Sequence, residues 1–116
     1  MTASAPDATP VRRGEIWWVN LYPARGSDIR KTRPAIVVTA NALNRARRTV
    51  VVVPLLTGPQ PRPPITVSTP SAGPNSVAVC DQVRAVDKRR LTRNEGQLSA
   101  VDLRSIEDSL RRVLEL

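Results

Sequence analysis

The segment Thr49-Val-Val-Val-Val-Pro-Leu-Leu56 carries the strongest structural signal in this 116-residue chain. β-Branched residues favour strands, and an unbroken apolar run predicts a strand that is buried on both faces. We therefore predict a strongly buried strand over residues 49–56. The run is far shorter than the roughly 20 apolar residues of a membrane-spanning helix, so we expect no membrane segment.

Shorter strand patterns lie on both sides of this run. Residues 15–21 and 35–39 are predicted strands, and residues 65–68 are a predicted edge strand. Apolar and polar side chains alternate over residues 76–84, which predicts one more strand, followed by a short strand at 85–87. Residues 24–33 are polar and basic and predict a loop, and residues 41–48 predict a helical turn.

One long helix is predicted at the C-terminus. Ser99 is a suitable N-cap, and Asp102 lies in the first turn, where a negative charge favours the helix dipole. Apolar residues recur there at helical spacing, namely Val101, Leu103, Ile106, Leu110, Val113 and Leu114. Many short strands followed by one helix predict a mainly β, α+β fold, a small β-barrel or bent antiparallel sheet packed against a C-terminal helix.

Length and composition set the broad class. A chain of this size forms one domain, to which we assign residues 12–116, after a disordered tail over residues 1–11. The N-terminus lacks the basic and apolar regions of a signal peptide, so we expect a cytoplasmic protein. The chain has no histidine and one cysteine. This excludes Ser-His-Asp and Cys-His triads, His-ligated zinc and an intrachain disulfide.

The charge is basic and unevenly distributed. The net charge is +8, and 16 of the 18 basic residues are arginine. Seven basic residues and one acid lie between Arg25 and Arg48, whereas residues 97–116 carry three basic residues and four acids. An uneven basic charge favours a face that binds an anion, most often a nucleic acid, although an arginine-rich composition alone would also produce an excess of arginine.

Four segments together carry a family pattern: Arg13-Gly14-Glu15-Ile16-Trp17-Trp18-Val19, Arg33-Pro34-Ala35-Ile36-Val37-Val38, Val53-Pro54-Leu55-Leu56-Thr57 and Cys80-Asp81-Gln82-Val83-Arg84-Ala85-Val86-Asp87-Lys88-Arg89-Arg90-Leu91. In this order the chain resembles the MazF/PemK toxins of bacterial type II toxin–antitoxin systems. The resemblance covers nearly all of the chain from residue 12 onward.

The resemblance implies an SH3-like barrel with a C-terminal helix, as in CcdB- and PemK-type toxins, that forms a homodimer. It implies a metal-independent, cofactor-free endoribonuclease that cuts single-stranded RNA at specific sequences, inhibits translation and is neutralised by an acidic MazE-like antitoxin. The catalytic positions of the family fall on Arg33 and Thr57.

Further residues are predicted to bind RNA. The resemblance and the loop before Arg33 point to seven of them: Arg25, Ser27, Arg30, Lys31, Thr32, Gln82 and Arg84. Trp17, Trp18 and Tyr22 are candidates to stack on unpaired bases. Neighbouring side chains of a strand face opposite ways, so the two tryptophans belong on different faces, and packing in the core or in a dimer interface is the alternative.

RNA cleavage needs neither histidine nor metal, because the 2′-hydroxyl beside the scissile phosphate is the nucleophile. Arg33 would stabilise charge on the phosphoryl oxygens, and Thr57 would hydrogen-bond a phosphate oxygen or the reacting hydroxyl. Two other functions fit the same sequence: a toxin of this fold that poisons gyrase by protein contact, and a nucleic-acid-binding barrel without catalysis.

Overall fold

The computed structural model describes residues 10–21 and 32–116. The strands found there are β1 (Glu15–Asn20), β2 (Thr32–Val37), β3 (Thr49–Thr57), β4 (Thr66–Ser68), β5 (Ser76–Val79), β6 (Arg84–Asp87) and β7 (Leu91–Gln97). The helices are α1 (Asn41–Ala46) and α2 (Ala100–Leu114), and 3-10 turns occupy Pro70–Ala72, Cys80–Gln82 and Lys88–Arg90. Neither α1 nor α2 has the length and apolar character that crossing a membrane requires.

The strands form one antiparallel sheet with β3 at its centre. The hydrogen-bonded order is β4-β5-β3-β2-β1-β7, and β6 also pairs with β3. Within the described residues this path does not close, so an open sheet rather than a closed barrel is observed. Val50, Val52 and Val53 of β3 are 0% exposed. This confirms the prediction of a strand that is buried on both faces, and the antiparallel sheet with α2 confirms the predicted α+β fold.

Each face of the sheet has its own hydrophobic core. Trp17, Val37 and Val52 belong to one core, and Ile36 and Val53 belong to the other. Helix α2 covers the second core, where Ile106 is fully buried. These two cores follow from the alternation of side chains along β1, β2 and β3, which sends successive apolar residues to opposite faces.

Helix α2 begins as predicted, and Leu103, Ile106, Leu110 and Val113 of its predicted apolar stripe pack in or against the second core. The Ser99 hydroxyl accepts a hydrogen bond from the Asp102 amide, which confirms the N-cap. Val101 and Leu114, which the helical spacing placed on the same apolar stripe, are 65% and 50% exposed, so that part of the prediction was wrong. Asp102 and Ser109 are buried instead. Asp102 is buried because its carboxylate accepts hydrogen bonds from Ser71 in the 3-10 turn at Pro70–Ala72, as described below.

Three further boundaries differ from the sequence prediction. β2 begins at Thr32 and not at residue 35, because Thr32 and Arg33 pair with β1. The strand predicted over residues 76–84 is interrupted by the 3-10 turn at Cys80–Gln82. β7 was not predicted at all, because its largely polar and exposed sequence lacks an apolar alternation; it is defined by pairing with β1.

The predicted tail also needs a correction at its end. Val11 is 4% exposed and packs in the core that contains Trp17, so the packed domain begins before residue 12. Residues 1–9, which make up most of the predicted tail, lie outside the described residues.

Candidate active site

The two predicted catalytic residues lie on neighbouring strands. Arg33 is the second residue of β2, and Thr57 is the last residue of β3. β2 and β3 are antiparallel, with Ala35 opposite Pro54. The same register continued toward the end of β3 brings Arg33 opposite Leu56, next to Thr57. The sheet therefore brings together two side chains that are far apart in the sequence.

Arg33 and Thr57 line one cleft of about 540 Å³. Its other lining residues are Ile16, Trp18, Pro34, Leu55, Leu56, Pro59, Ser71, Ala72 and Glu95. Ile16 and Leu55 belong to the core under helix α2, so the cleft is an open continuation of that core. Within residues 10–21 and 32–116, the Arg33 guanidinium forms no hydrogen bond or ion pair, so its donors are available to an anion.

One wall of the cleft is fixed to the start of helix α2. The Asp102 carboxylate accepts hydrogen bonds from the Ser71 amide at 2.8 Å and the Ser71 hydroxyl at 2.5 Å. The same hydroxyl accepts a hydrogen bond from the Ser99 amide at 3.0 Å. Because Asp102 is 6% exposed, these hydrogen bonds are shielded from water and hold the turn against the helix.

The adjacent tryptophans occupy opposite faces, as strand geometry predicts. Trp17 is 7% exposed in the core, and its indole N–H donates to Glu15 at 3.0 Å. Trp18 is half-buried and lines the cleft. Its buried Nε1 has no hydrogen-bond acceptor among the described residues. Trp17 is therefore a core residue, whereas the ring of Trp18 is available to a ligand in the cleft.

β7 contributes a charged pair that the sequence did not indicate. Arg93 Nε donates to Glu95 Oε2 at 2.7 Å, and the Arg93 guanidinium lies 5.6 Å from the centre of the Trp18 ring. Glu95 is the one acid that lines the cleft within the described part of the chain. No motif marks these residues, and only the pairing of β7 with β1 places them beside Trp18.

The remaining predicted RNA contacts fall into three groups. Thr32 lines a neighbouring depression of about 420 Å³ together with Trp18, Thr92 and Arg93. Arg25, Ser27, Arg30 and Lys31, and the candidate stacker Tyr22, lie outside the described residues.

Gln82 and Arg84 are exposed but do not line the cleft. Arg84 pairs with Val52, five residues from Thr57 on β3, which corresponds to about 17 Å along the strand. The single chain therefore does not bring Gln82 and Arg84 to Arg33, and their contact with RNA stays a prediction.

Two pKa shifts occur away from the cleft. Burial raises the pKa of the Cys80 thiol from 9.0 to about 11, which keeps it protonated and unreactive at neutral pH. Hydrogen bonds from the Arg89 side chain and amide lower the pKa of Asp87 to about 2. In the described ranges, no three His, Cys, Asp or Glu side chains come close enough together to hold a metal ion.

Residues 12–114 match the family model described as the PemK-like, MazF-like toxin of type II toxin–antitoxin systems. This chain belongs to that family. Its relatives include the endoribonuclease MazF9 of Mycobacterium tuberculosis, which is 35% identical over 91% of this chain and 98% of the relative. The endoribonuclease PemK of Escherichia coli is 39% identical over 68% of this chain and 62% of the relative.

Two solved structures of toxins bound to antitoxins share the fold of this chain. A mycobacterial endoribonuclease in complex with its cognate antitoxin superimposes with a TM-score of 0.75 at 24% identity, over 91% of this chain and 96% of that one. A MazE–MazF complex from Deinococcus radiodurans gives a TM-score of 0.79 at 24% identity, over 92% and 97% of the two chains. This chain therefore has the same overall fold as both of these proteins.

Proposed function

We propose that this toxin is a sequence-specific, metal-independent endoribonuclease that cleaves single-stranded RNA and thereby inhibits translation. The observation that carries the proposal is the convergence of Arg33 and Thr57 on one cleft. Membership of the MazF/PemK family and the name endoribonuclease carried by its relatives support it. The net charge of +8 favours a polyanionic substrate.

The cleavage is an intramolecular transfer within the RNA. The 2′-oxygen forms a bond to the adjacent phosphorus, and the bond from phosphorus to the 5′-oxygen of the next nucleotide breaks. The 2′-hydroxyl loses its proton, and the departing 5′-oxygen gains one. The products are a 2′,3′-cyclic phosphate and a 5′-hydroxyl end. The protein must align the nucleotide and stabilise the charge that builds up on the phosphoryl oxygens.

Arg33 and Thr57 divide these tasks. The planar guanidinium of Arg33 donates to two phosphoryl oxygens at once, and its charge balances theirs. An arginine keeps its protons in proteins, so Arg33 acts as a donor and not as a base. Thr57 lies at the exposed end of β3, where its hydroxyl can donate to a phosphoryl oxygen or hold the reacting 2′-hydroxyl.

The partners follow from the same proposal. RNA contacts from Arg25, Ser27, Arg30, Lys31, Thr32, Gln82 and Arg84 would position the backbone of the substrate. An acidic segment of a cognate antitoxin would compete with RNA for the same basic surface. A second copy of the chain completes the active form as a homodimer.

The test uses a long single-stranded RNA in excess EDTA, with cut sites mapped by primer extension and the new ends identified chemically. We expect discrete cuts that leave cyclic phosphate and 5′-hydroxyl ends. A matched RNA with a single 2′-deoxynucleotide at one mapped cut site should resist cleavage at that site and be cut at the others.

Four outcomes would contradict the proposal. Cleavage that EDTA abolishes would show that a metal is needed. Cleavage at the 2′-deoxynucleotide would show that water, and not the 2′-oxygen, is the nucleophile. Salt-dependent RNA binding without any cleavage would favour the nucleic-acid-binding barrel without catalysis. Stalled gyrase without RNA cleavage would favour the toxin that poisons gyrase.

A further inference from the structure

We infer that Arg93 and Glu95 form a base-recognition subsite beside the catalytic cleft, and that this subsite takes a guanine close to the cut. The inference rests on the proposed ribonuclease function and names part of the substrate sequence. It is drawn from three observations in the described residues: the acid in the cleft, its ion pair with Arg93 and the half-buried tryptophan beside it.

The first observation is that Glu95 places a negative charge where the phosphates of RNA would bind. A carboxylate repels a polyanion unless it accepts hydrogen bonds from that ligand. RNA offers two kinds of donor, the 2′-hydroxyl and the N–H groups of the bases. Arg93 occupies one oxygen of Glu95, and the other oxygen is placed to accept from one of these donors.

The position of Glu95 in the sheet favours a base over the reacting hydroxyl. β7 pairs with β1, and β1 pairs with β2, so Glu95 lies two strands from Arg33. This separation is about 10 Å between backbones. In a reactive geometry the attacking 2′-oxygen is only about 3–3.5 Å from the phosphorus that Arg33 holds. Glu95 is thus placed for a nucleotide one or two positions from the cut.

The second observation is the direction of the ion pair between Arg93 and Glu95, which places donors on one side and acceptors on the other. One carboxyl oxygen of Glu95 is held at 2.7 Å by Arg93 Nε, and the Arg93 guanidinium is held over the ring of Trp18. Oε1 of Glu95 and the terminal nitrogens of Arg93 form no hydrogen bond within residues 10–21 and 32–116. The pair therefore presents the acceptor oxygens of the Glu95 carboxylate beside the donor nitrogens of the Arg93 guanidinium.

This arrangement of donors and acceptors complements the Watson–Crick edge of guanine. Guanine presents one acceptor, O6, next to two adjacent donors, N1–H and N2–H. Glu95 can accept from both donors while Arg93 donates to O6. Uracil presents its single N3–H between two carbonyl oxygens, which a carboxylate repels. Cytosine and adenine offer one amino donor each, so guanine makes the largest number of hydrogen bonds.

Trp18 provides the third observation. It separates the cleft from the neighbouring depression and lines both of them. Its half-buried ring offers an apolar surface to a base, and base–aromatic stacking is tolerant of sequence. Trp18 therefore retains the base, whereas the Arg93–Glu95 pair selects which base is retained.

The experiment compares wild-type protein with Glu95→Gln on a random RNA pool in EDTA. In the wild type we expect guanine to dominate one position within two nucleotides of the cut. In Glu95→Gln that preference should fall on the order of 10- to 100-fold. The neutral amide of glutamine has one acceptor oxygen, whereas the charged carboxylate of Glu95 accepts from both guanine donors. A defined RNA with inosine at this position lacks the 2-amino group and should be cut by the wild type on the order of tenfold more slowly than the guanosine RNA.

Glu107→Gln is the matched control. Glu107 also forms an ion pair with an arginine, Arg13, at 2.8 Å, but it lies on helix α2 outside the cleft. This variant makes the same change of one charge, so it should keep the guanine preference of the wild type. Loss of the preference in both variants would assign the effect to overall charge and overturn the subsite.

Failure of the subsite and failure of the ribonuclease function give different results. If wild-type protein cuts RNA with no guanine preference, or if Glu95→Gln keeps that preference within twofold, the subsite is wrong and the ribonuclease stands. If the wild type cuts no RNA, fluorescence anisotropy with labelled RNA hexamers decides the matter. Tighter binding of guanosine over inosine hexamers, lost in Glu95→Gln alone, would uphold the subsite without cleavage, and equal binding would overturn it.

Discussion

The two ends of β3 show how one strand serves two purposes. At its first end, Val50 and Val52 are 0% exposed, between β2 on one side and β6 on the other. At its last end, Thr57 is exposed and faces the cleft. The first end is closed by packing, and the last end is open to a ligand.

We infer from this difference that the buried part of β3 holds the residues at its open end in place. Arg33 reaches the cleft from β2, whose next residues are locked against β3 in a fully buried register. Donors that are held in place before the substrate arrives do not need to reorganise during the reaction. Substitutions at the open end should therefore change catalysis, and substitutions at the closed end should change stability.

The largest expected effect is the loss of cleavage in Arg33→Ala. We expect the rate to fall about 1000-fold, because removal of a donor to a developing oxyanion costs about 4 kcal/mol. The free energy of unfolding should stay within about 0.5 kcal/mol, since the guanidinium of Arg33 forms no hydrogen bond or ion pair in the described part of the chain. Single-turnover cleavage and urea unfolding check both numbers. Retained activity in a folded protein would remove Arg33 from the catalytic site.

Ile36→Ala should have the opposite profile. Ile36 is 0% exposed in the core beneath α2, and removal of a large buried side chain costs about 3 kcal/mol of unfolding free energy. Urea unfolding measures this loss. The folded fraction should cut RNA at the same sites as the wild type, and a change in cut sites would show that the two ends of β3 are not separable in this way.

Asp102→Ala tests the wall that joins the two regions. Loss of the carboxylate leaves the Ser71 amide and hydroxyl without their acceptor, which should cost about 2 kcal/mol. Asp108→Ala is the control on the same helix, because Asp108 pairs with Arg111 in an exposed position and should cost less than about 0.5 kcal/mol. Equal losses of stability in the two variants would contradict the structural role of Asp102.

The two threonines at the ends of β3 offer a smaller and cleaner contrast. Thr57→Ala should slow cleavage about tenfold, which corresponds to the loss of one hydrogen bond of about 1.4 kcal/mol. Thr49 is also exposed, but at the far end of the strand, so Thr49→Ala should leave the cleavage rate unchanged. Equal rates for both variants would remove Thr57 from the site.

The smallest effect on cleavage is expected at Cys80, which is 0% exposed and does not line the cleft. With a pKa of about 11, only about one thiol in a thousand is ionised at pH 8, so iodoacetamide should react with Cys80 only after unfolding. The thiol of the unfolded chain, with a pKa of 9.0, loses its proton at a lower pH than the thiol of the folded protein. Stability should therefore fall as the pH rises from about 9 to 11, and this component should be absent in Cys80→Ala. Rapid alkylation of the folded protein would contradict the burial.

Local patterns were sufficient to predict the centre of the fold. The valine run identified β3, the spacing of Ser99 and Asp102 located the start of α2, and strand alternation separated Trp17 from Trp18. Each of these features depends on neighbours in the sequence. The family pattern in turn identified Arg33 and Thr57, whose shared cleft depends on the pairing of β2 with β3.

Features that depend on distant neighbours were missed. The helical spacing placed Val101 on the apolar stripe of α2, but Val101 is exposed, whereas Asp102 beside it is buried by its hydrogen bonds to Ser71. The sequence of β7 is largely polar and exposed, so only its pairing with β1 makes it a strand. Glu95 entered the site with that strand and could not be found from composition or motif.

The most direct test of the central claim is the binding of a non-cleavable RNA, with 2′-O-methyl at the mapped cut, to ¹⁵N-labelled protein. The claim is that RNA occupies the open end of β3 and leaves the closed end undisturbed. We predict that the indole N–H signal of Trp18 and the amide signals of Arg33 and Thr57 shift on titration, while the indole signal of Trp17 and the amide signal of Val50 stay in place. Shifts at Trp17 and Val50 with none at Trp18, Arg33 or Thr57 would contradict the account.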